Sequence, residues 1–386
     1  MNVELIEVPL ANRKLVERFI RVQWWIHREH APNDVWVPPL LIDRRDYLNP
    51  KKSLTSGGNP FFDHAECAFW IAVQDGRDVG RIAAIFDKDW EPFHGTKTGY
   101  FGFFDSPDDP EVAETLLRRA EAWLKERGRE DVIGPLDAST NYYSGVLIDS
   151  FDKAPGMQMP YNPPYYGALI EGAGYSKAKD LWAWELEVAK GLPEKVERVA
   201  DKIRKRAKVE VRPMNLEDWD NEVDRVLSIY NSAWDKNWGF VPVSEKEFKH
   251  LAADLKMVIA EETALMAEVD GEPVAFCITI KDIQPALKKV DGKLFPTGVF
   301  SLLWNLTLRP KIDWGRLVVM GIKDGYRRRG IDSVLFVETF RGAEKLGWRG
   351  AEIGWTLDDN TLINRAIESM GGEKTKTYRV YGKELA

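Results

Sequence analysis

The sequence predicts an α/β (α+β) protein of two tandem domains, and three observations lead there. Residues 209–386 repeat the order of strands and helices read in residues 1–188. Each half holds a hairpin turned on an Asp-Gly pair, Asp75 with Gly76 and Asp270 with Gly271. Between the halves, residues 189–208 read as a charged linking helix that Gly191 and Pro193 set apart. A chain of 386 residues also exceeds what one core usually covers.

The elements follow in order. Residues 2–9 alternate apolar and polar side chains, as a half-buried strand does, and the large apolar residues of 15–27 recur at helical spacing. Residues 68–87 form the first hairpin and 99–104 a further strand. An amphipathic helix at 110–128 has Pro110 at its start and Gly128 past its end. A strand at 131–137, a long loop, a helix at 163–175 and a strand at 177–188 complete the first half. The second runs through a strand at 208–213, a helix at 222–234, a hairpin at 264–280 and a strand at 316–322. It closes with a helix at 331–347, a strand at 350–357, a helix at 360–372 and a strand at 375–385.

A net charge of −7 and a pI near 5.5 argue against general nucleic-acid binding. In the linking helix, Lys202, Arg204, Lys205, Arg206 and Lys208 read as a solvated face, with contact to nucleic acid or an acidic partner as the alternative. No stretch approaches the ~20 apolar residues of a membrane span, and the N-terminus lacks signal-peptide character. A cytoplasmic protein with no membrane partner is therefore expected. Cys67 and Cys277 read as core thiols. The histidines are dispersed, with only His27 and His30 close in sequence, so no metal is expected. A homo-oligomer is compatible with everything in the chain.

Residues 318–346 run from an apolar strand through an arginine-rich turn into an amphipathic helix. A helix start leaves about four N–H groups without intrahelical partners, and Arg327, Arg328 and Arg329 add charge beside Gly330, so the segment is suited to an anion. Residues 326–332 resemble the acetyl-coenzyme A loop of the GNAT acyltransferase superfamily, whose pattern is Arg or Gln, two residues, Gly, one residue, Gly or Ala. Arg327 and Gly330 match, whereas Asp332 puts a carboxylate where the family has a tiny uncharged residue. The order of elements is similar to the GNAT fold in both halves. The resemblance implies two tandem GNAT-like domains, each a mixed, mostly antiparallel sheet flanked by helices, like bacterial tandem GNAT-like proteins. The first repeat reads as degenerate, because Asp105, Asp108 and Asp109 stand where a cofactor loop needs glycine and positive charge.

The resemblance implies an N-acyltransferase using acetyl-CoA or another acyl-CoA as co-substrate, with a small-molecule or peptide amine as acceptor. Coenzyme contacts are then expected from Met320, Gly321 and Ile322 on the strand, from Arg327 through Asp332 including Ile331, and from Asn360. Gly321 is also a site where a bulge costs little. Glu352 and Asp358 are the candidate bases, against an exposed strand residue and a helix cap as structural alternatives. The family's thiolate-protonating tyrosine is replaced by Ile367, which leaves Tyr378 or Tyr381 for that role. Trp234, Trp238, Phe240, Trp304 and Trp355 are candidate acceptor walls. The loop at 139–175 is too long and aromatic for a plain connector. Its Asn141, Tyr142, Tyr143, Asp149, Tyr161, Asn162, Tyr165 and Tyr166 either line a pocket or plug the interface between domains. Two other readings stay open: a noncatalytic binding protein on this scaffold, and a Fem-type transferase using aminoacyl-tRNA.

Overall fold

A computed structural model describes residues 3–31, 35–51, 58–296, 298–304 and 312–385. The first half opens with β1 (Glu4–Glu7) and α1 (Arg13–His30), whose N-cap Asn12 accepts a bond from the Leu15 amide. Helix α2 (Leu41–Tyr47) leads to the hairpin β2 (Ala65–Gln74) and β3 (Arg77–Asp87). Asp75 and Gly76 take φ values of 51° and 74°, the left-handed pair that a two-residue hairpin turn requires. Then come α3 (Trp90–His94), β4 (Thr98–Asp105), α4 (Pro110–Lys125) and β5 (Asp131–Gly134). Five elements complete this half: β6 (Leu136–Asp137), which pairs with β7 (Tyr143–Ser144), then β8 (Val146–Leu147), α5 (Tyr166–Gly172) and β9 (Ser176–Glu187).

The linking helix α6 (Glu194–Ala207) precedes β10 (Val209–Pro213), α7 (Trp219–Trp234) and α8 (Glu245–Leu255). The second hairpin is β11 (Ile259–Val269) and β12 (Glu272–Lys281), with Asp270 and Gly271 repeating the left-handed turn at 52° and 80°. Two short helices, α9 (Gln284–Val290) and α10 (Gly298–Leu303), come before β13 (Trp314–Ile322). Helix α11 (Ile331–Lys345), β14 (Gly350–Leu357), α12 (Thr361–Ser369) and β15 (Glu373–Glu384) complete the chain. No described helix is long and apolar enough to cross a membrane.

The compact units differ from the contiguous halves 1–188 and 209–386. One unit comprises Met1–Leu181, Gln284–Asn305 and Lys376–Ala386, and the other Trp182–Ile283 and Leu306–Thr375. Residues 376–386 therefore supply the last strand to the first repeat's unit, where Tyr381 stands opposite Gly134 in antiparallel register. Residues 182–187 end the first repeat but belong to the second unit, where the Trp184 indole donates to Thr356 at 2.9 Å. Periodicity reports which face of an element is apolar, not which unit buries it.

Each unit has the expected mixed, mostly antiparallel sheet. In the first, β1, β2, β3 and β4 pair antiparallel in sequence, β4 and β5 pair parallel, and β15 lies antiparallel to β5. In the second, β10 to β13 pair antiparallel in sequence and β13 lies parallel to β14.

The core of the second unit gathers Ala267, Ala275, Cys277, Leu317 and Ile353 from the sheet and Ile331, Val334, Leu335 and Val337 from α11. Each fully buried large aliphatic side chain contributes roughly 1.5–3 kcal/mol. Helix α11 also packs against α6 through the Arg204–Glu338 ion pair and Arg341 to Glu197 at 3.5 Å. That turns one linker cation inward, while Lys202, Lys205, Arg206 and Lys208 stay exposed. Cys277 is buried and Cys67 half-buried, and both are free thiols.

Candidate active site

The second sheet forks. Strands β13 and β14 pair from Trp314 with Gly350 to Leu317 with Ile353, and there the ladder stops although both strands continue. On the other side β13 stays paired to β12 as far as Ile322 opposite Ala275. Backbone groups of residues 318–322 on the open side thus have no β14 partner, and Met320 and Ile322 stand there half-buried. The register shift that accompanies the fork falls between Ile278 and Thr279, opposite residues 317–319. It does not fall at Gly321, whose missing Cβ instead makes room for the Phe276 ring, 2.8 Å from where that atom would stand.

Past the fork, the arginine turn feeds α11. Gly330 is the N-cap residue at φ 83°, a left-handed conformation that glycine adopts without strain. A Cβ there would meet the Ile203 side chain of α6 at 2.4 Å, so any larger residue also makes that side chain shift. The Arg327 guanidinium donates to the carbonyls of Ala233 at 2.6 Å and Ser232 at 3.1 Å, covering the end of α7. Arg328 is exposed at φ 60°, and Arg329 lies over the Tyr326 ring at 4.7 Å. Ile331 is fully buried. Burial of the Asp332 carboxyl at this helix start raises its pKa, and the Ser333 amide donates to the Gly330 carbonyl at 3.0 Å. Asp332 therefore puts a carboxyl at the helix end where an anion would bind.

Glu352 is 2% exposed, not an exposed strand residue. It stands in register with Arg316, whose guanidinium lies 4.0 Å from its carboxylate and donates to the Gly354 carbonyl at 3.0 Å. Asp358 is half-buried just beyond β14, and Asn360 is the N-cap of α12, accepting from the Ile363 amide at 3.5 Å. Ile367 is a core residue, buried against Gly372. A residue the sequence reading missed is the buried Asn364, which donates to the Leu357 carbonyl at 3.0 Å and fixes the end of β14. Arg316 was also missed. A lone arginine in the apolar run 316–322 and a lone glutamate in 351–355 were the available signal.

The structure divides the other candidates between the units. Trp234, Trp238, Phe240 and Trp355 belong to the second; Trp234 stacks on Tyr230 at 5.2 Å, Phe240 is buried, and Trp238 and Trp355 are half-buried. Trp304, Tyr142, Tyr165, Tyr378 and Tyr381 belong to the first. Tyr378 is fully buried opposite Leu147, and the Tyr381 hydroxyl donates to Glu171 at 2.9 Å.

The 139–175 loop packs inside the first unit. The Tyr165 hydroxyl donates to the Ser106 carbonyl at 3.0 Å, Tyr166 to Asp105 at 2.8 Å and Tyr161 to the Phe151 carbonyl at 2.7 Å. Tyr142 packs edge-on against Tyr47 and Phe61, while the Tyr143 ring lies under Arg44. Asn162 bonds both backbone groups of Leu147, Asp149 accepts from the Thr377 amide, and Asn141 donates its amide to Ser139.

The first unit repeats the fork, with β4 and β5 pairing only from Thr98 to Tyr100. Here the chain fills the gap itself. The Asp137 carboxylate accepts from the Phe103 amide at 2.6 Å, and the Leu136 carbonyl stands 1.8 Å from where a Gly102 Cβ would be. Asp105 is buried against Arg81 at 2.6 Å, Asp109 caps α4, and Asp108 is exposed. Only the fork of the second unit carries the arginine turn and glycine-capped helix.

Among the described residues one His and Asp grouping has metal-ligand spacing: His64 Nδ1 lies 3.0 Å from Asp87 and 3.7 Å from Asp89. Asp87 also accepts from the Asp89 amide at 3.0 Å, so protein donors already serve it.

A fork repeated in both sheets, the second followed by a glycine-capped helix, defines the protein as a tandem GNAT fold. A tandem GNAT protein from the clavulanic acid biosynthesis pathway matches with a TM-score of 0.57 and 12% identity, over 100% of this chain and 99% of that one. The glucosamine N-acetyltransferase region of a fungal multi-domain GH3 β-N-acetylglucosaminidase gives 0.55 and 12%, over 99% of this chain and 38% of that one. No family model matches the sequence. The chain is 36% identical to the bacterial ceramide synthase of Caulobacter vibrioides over 392 residues, covering 100% of this chain and 98% of the relative. It is also 36% identical to protein YghO of Escherichia coli over 357 residues, 91% of this chain and 88% of that one. The chain belongs to the family of these two proteins.

Proposed function

We propose that this chain is an N-acyltransferase that moves a long-chain acyl group from an acyl-CoA thioester to the amine of a sphingoid base, producing a ceramide. The observation that carries the reading is the full-length relationship to bacterial ceramide synthase. The fork supports the choice of unit, because the backbone groups of residues 318–322 that face away from β12 have no β14 partner and suit an extended thioester arm.

In this reaction the neutral amine attacks the thioester carbonyl, an N–C bond forms, and the C–S bond breaks. One proton leaves the nitrogen and one reaches the thiolate to give CoA-SH. A thiol of ordinary pKa near ~8.5 leaves without an obligatory acid, so Ile367 is compatible with turnover. Asp358, at the open end of β14, is the candidate base. Glu352, engaged with Arg316 in the strand pair, acts as a positioning residue that holds the strand below the fork.

Asp332 and the diverted Arg327 favour a second reading, a noncatalytic binder of the same lipids. The test is to incubate the protein with palmitoyl-CoA and sphinganine in detergent and quantify the amide by mass spectrometry. Amide matched by free CoA supports the transferase. Bound sphinganine with no amide supports the binder.

A further inference from the structure

Between β12 and β13 the second repeat inserts residues 282–313, where the first repeat spans the same connection with residues 88–97. Helix α9 and the turn after it are tied to the rest of the first unit. Asp291 pairs with Arg28 at 2.6 Å, the Gly292 carbonyl accepts from the Leu41 amide at 2.9 Å, and Gln284 donates to the Gly156 carbonyl at 3.2 Å. The Trp24 ring lies 2.8 Å from where a Gly292 Cβ would be. Ala286, Leu287 and Val290 are buried beneath.

The outward side is aromatic. Phe295, Phe300 and Trp304 are 70%, 73% and 56% exposed. Phe300 and Trp304 are four residues apart, the spacing of side chains on one helix face. Lys288, Lys289 and Lys293 are exposed in the same stretch of chain. A cationic, aromatic segment on a chain of net charge −7 is charge-complementary to an anionic surface. Phenylalanine and tryptophan flanked by lysine is the chemistry of interfacial membrane elements, with apolar rings at the acyl boundary and ammonium groups among anionic headgroups.

We propose that the face carrying Phe295, Phe300 and Trp304 docks the protein on an anionic bilayer surface. The inference deepens the proposed function, on which its purpose rests: a long-chain amine partitions into bilayers, and an enzyme held there meets it without extracting it from water. It also revises the expectation of no membrane partner, which followed from the lack of a spanning segment and does not bear on a surface element.

The test is co-sedimentation with vesicles of phosphatidylcholine alone and of equal parts phosphatidylcholine and phosphatidylglycerol, with no acyl substrate present. Binding to the anionic vesicles is expected, weakened by salt, and about tenfold weaker or more in F295S/F300S because both rings contribute buried apolar area. F295W/F300W should retain binding, and K288E/K289E/K293E should lose the anionic preference. Absence of binding by the unaltered protein, or equal binding by F295S/F300S with an unchanged circular dichroism spectrum, overturns the proposal. A concentration-dependent dimer lost in F295S/F300S, without vesicle binding, overturns it in favour of a contact between copies. In detergent, F295S/F300S should still acylate sphinganine. Vesicle binding without acyl transfer would sink the proposed function and leave the docking surface standing; acyl transfer without vesicle binding would do the reverse.

Discussion

Arg316 and Glu352 face each other in register across β13 and β14, both buried, one residue before the last pair of the ladder. Removing one member of a buried ion pair leaves a charge without compensation and costs ~3–5 kcal/mol, while replacing both with apolar residues is often neutral. Glu352→Ala should therefore destabilise the protein by about that amount in urea denaturation, and the double variant R316M/E352L should recover most of it. If Glu352 positions the strand rather than taking the amine's proton, the double variant keeps the pH profile of acyl transfer and loses only rate.

Gly330 combines a left-handed backbone with contact to Ile203. Gly330→Ala should cost about 1–2 kcal/mol from the backbone alone, and more from the collision with α6. Adding Ile203→Ala should relieve only the second part. A single variant as stable as the original protein would mean that the turn relaxes freely.

Asp332 carries a pKa raised by burial at the start of α11. A carboxyl whose folded-state pKa is raised binds its proton more tightly when folded. Protonation on acidification then removes the negative charge from the helix end. Affinity for CoA, measured by calorimetry, should rise as pH falls through that pKa. Asp332→Asn should bind CoA roughly fivefold more tightly at neutral pH, with a flatter pH dependence. Equal affinities at both pH extremes would place the carboxylate outside the anion's field.

In the first unit, burial acts to raise the Asp105 pKa, but Arg81, His27 and the Tyr166 hydroxyl outweigh it and hold the group below its ordinary value. A depressed carboxyl stabilises the fold above its unfolded pKa, and that contribution is lost as pH falls through the folded value. Asp105→Asn should lower stability by ~3 kcal/mol at neutral pH because Arg81 loses its buried partner. It should also make the remaining acid transition shallower, which a pH series of thermal melts would detect.

Much of the fold was legible because its signals are local. Asp75–Gly76 and Asp270–Gly271 demand left-handed turns, and Pro110 and Gly128 bracket a helix whatever surrounds it. The arginine turn was legible as a motif, but the partners of Arg327 and Gly330 lie on α7 and α6, and spacing carries no trace of them. The same holds for residues 284–305 and 376–386, whose amphipathic patterns fit either unit. Tyrosines of the 139–175 loop resemble a pocket lining by type, yet the hydroxyls of Tyr161, Tyr165 and Tyr166 are consumed by carbonyls and by Asp105. Only coordinates distinguish a phenol that packs from one that waits for a ligand.

Hydrogen–deuterium exchange with and without palmitoyl-CoA tests most directly the claim that the second unit's fork holds the donor. Protection should appear at residues 318–322 and at the start of α11, while Thr98–Asp105 of the first unit exchanges unchanged. Protection at Thr98–Asp105 instead, or no protection anywhere in a folded protein, would contradict the claim.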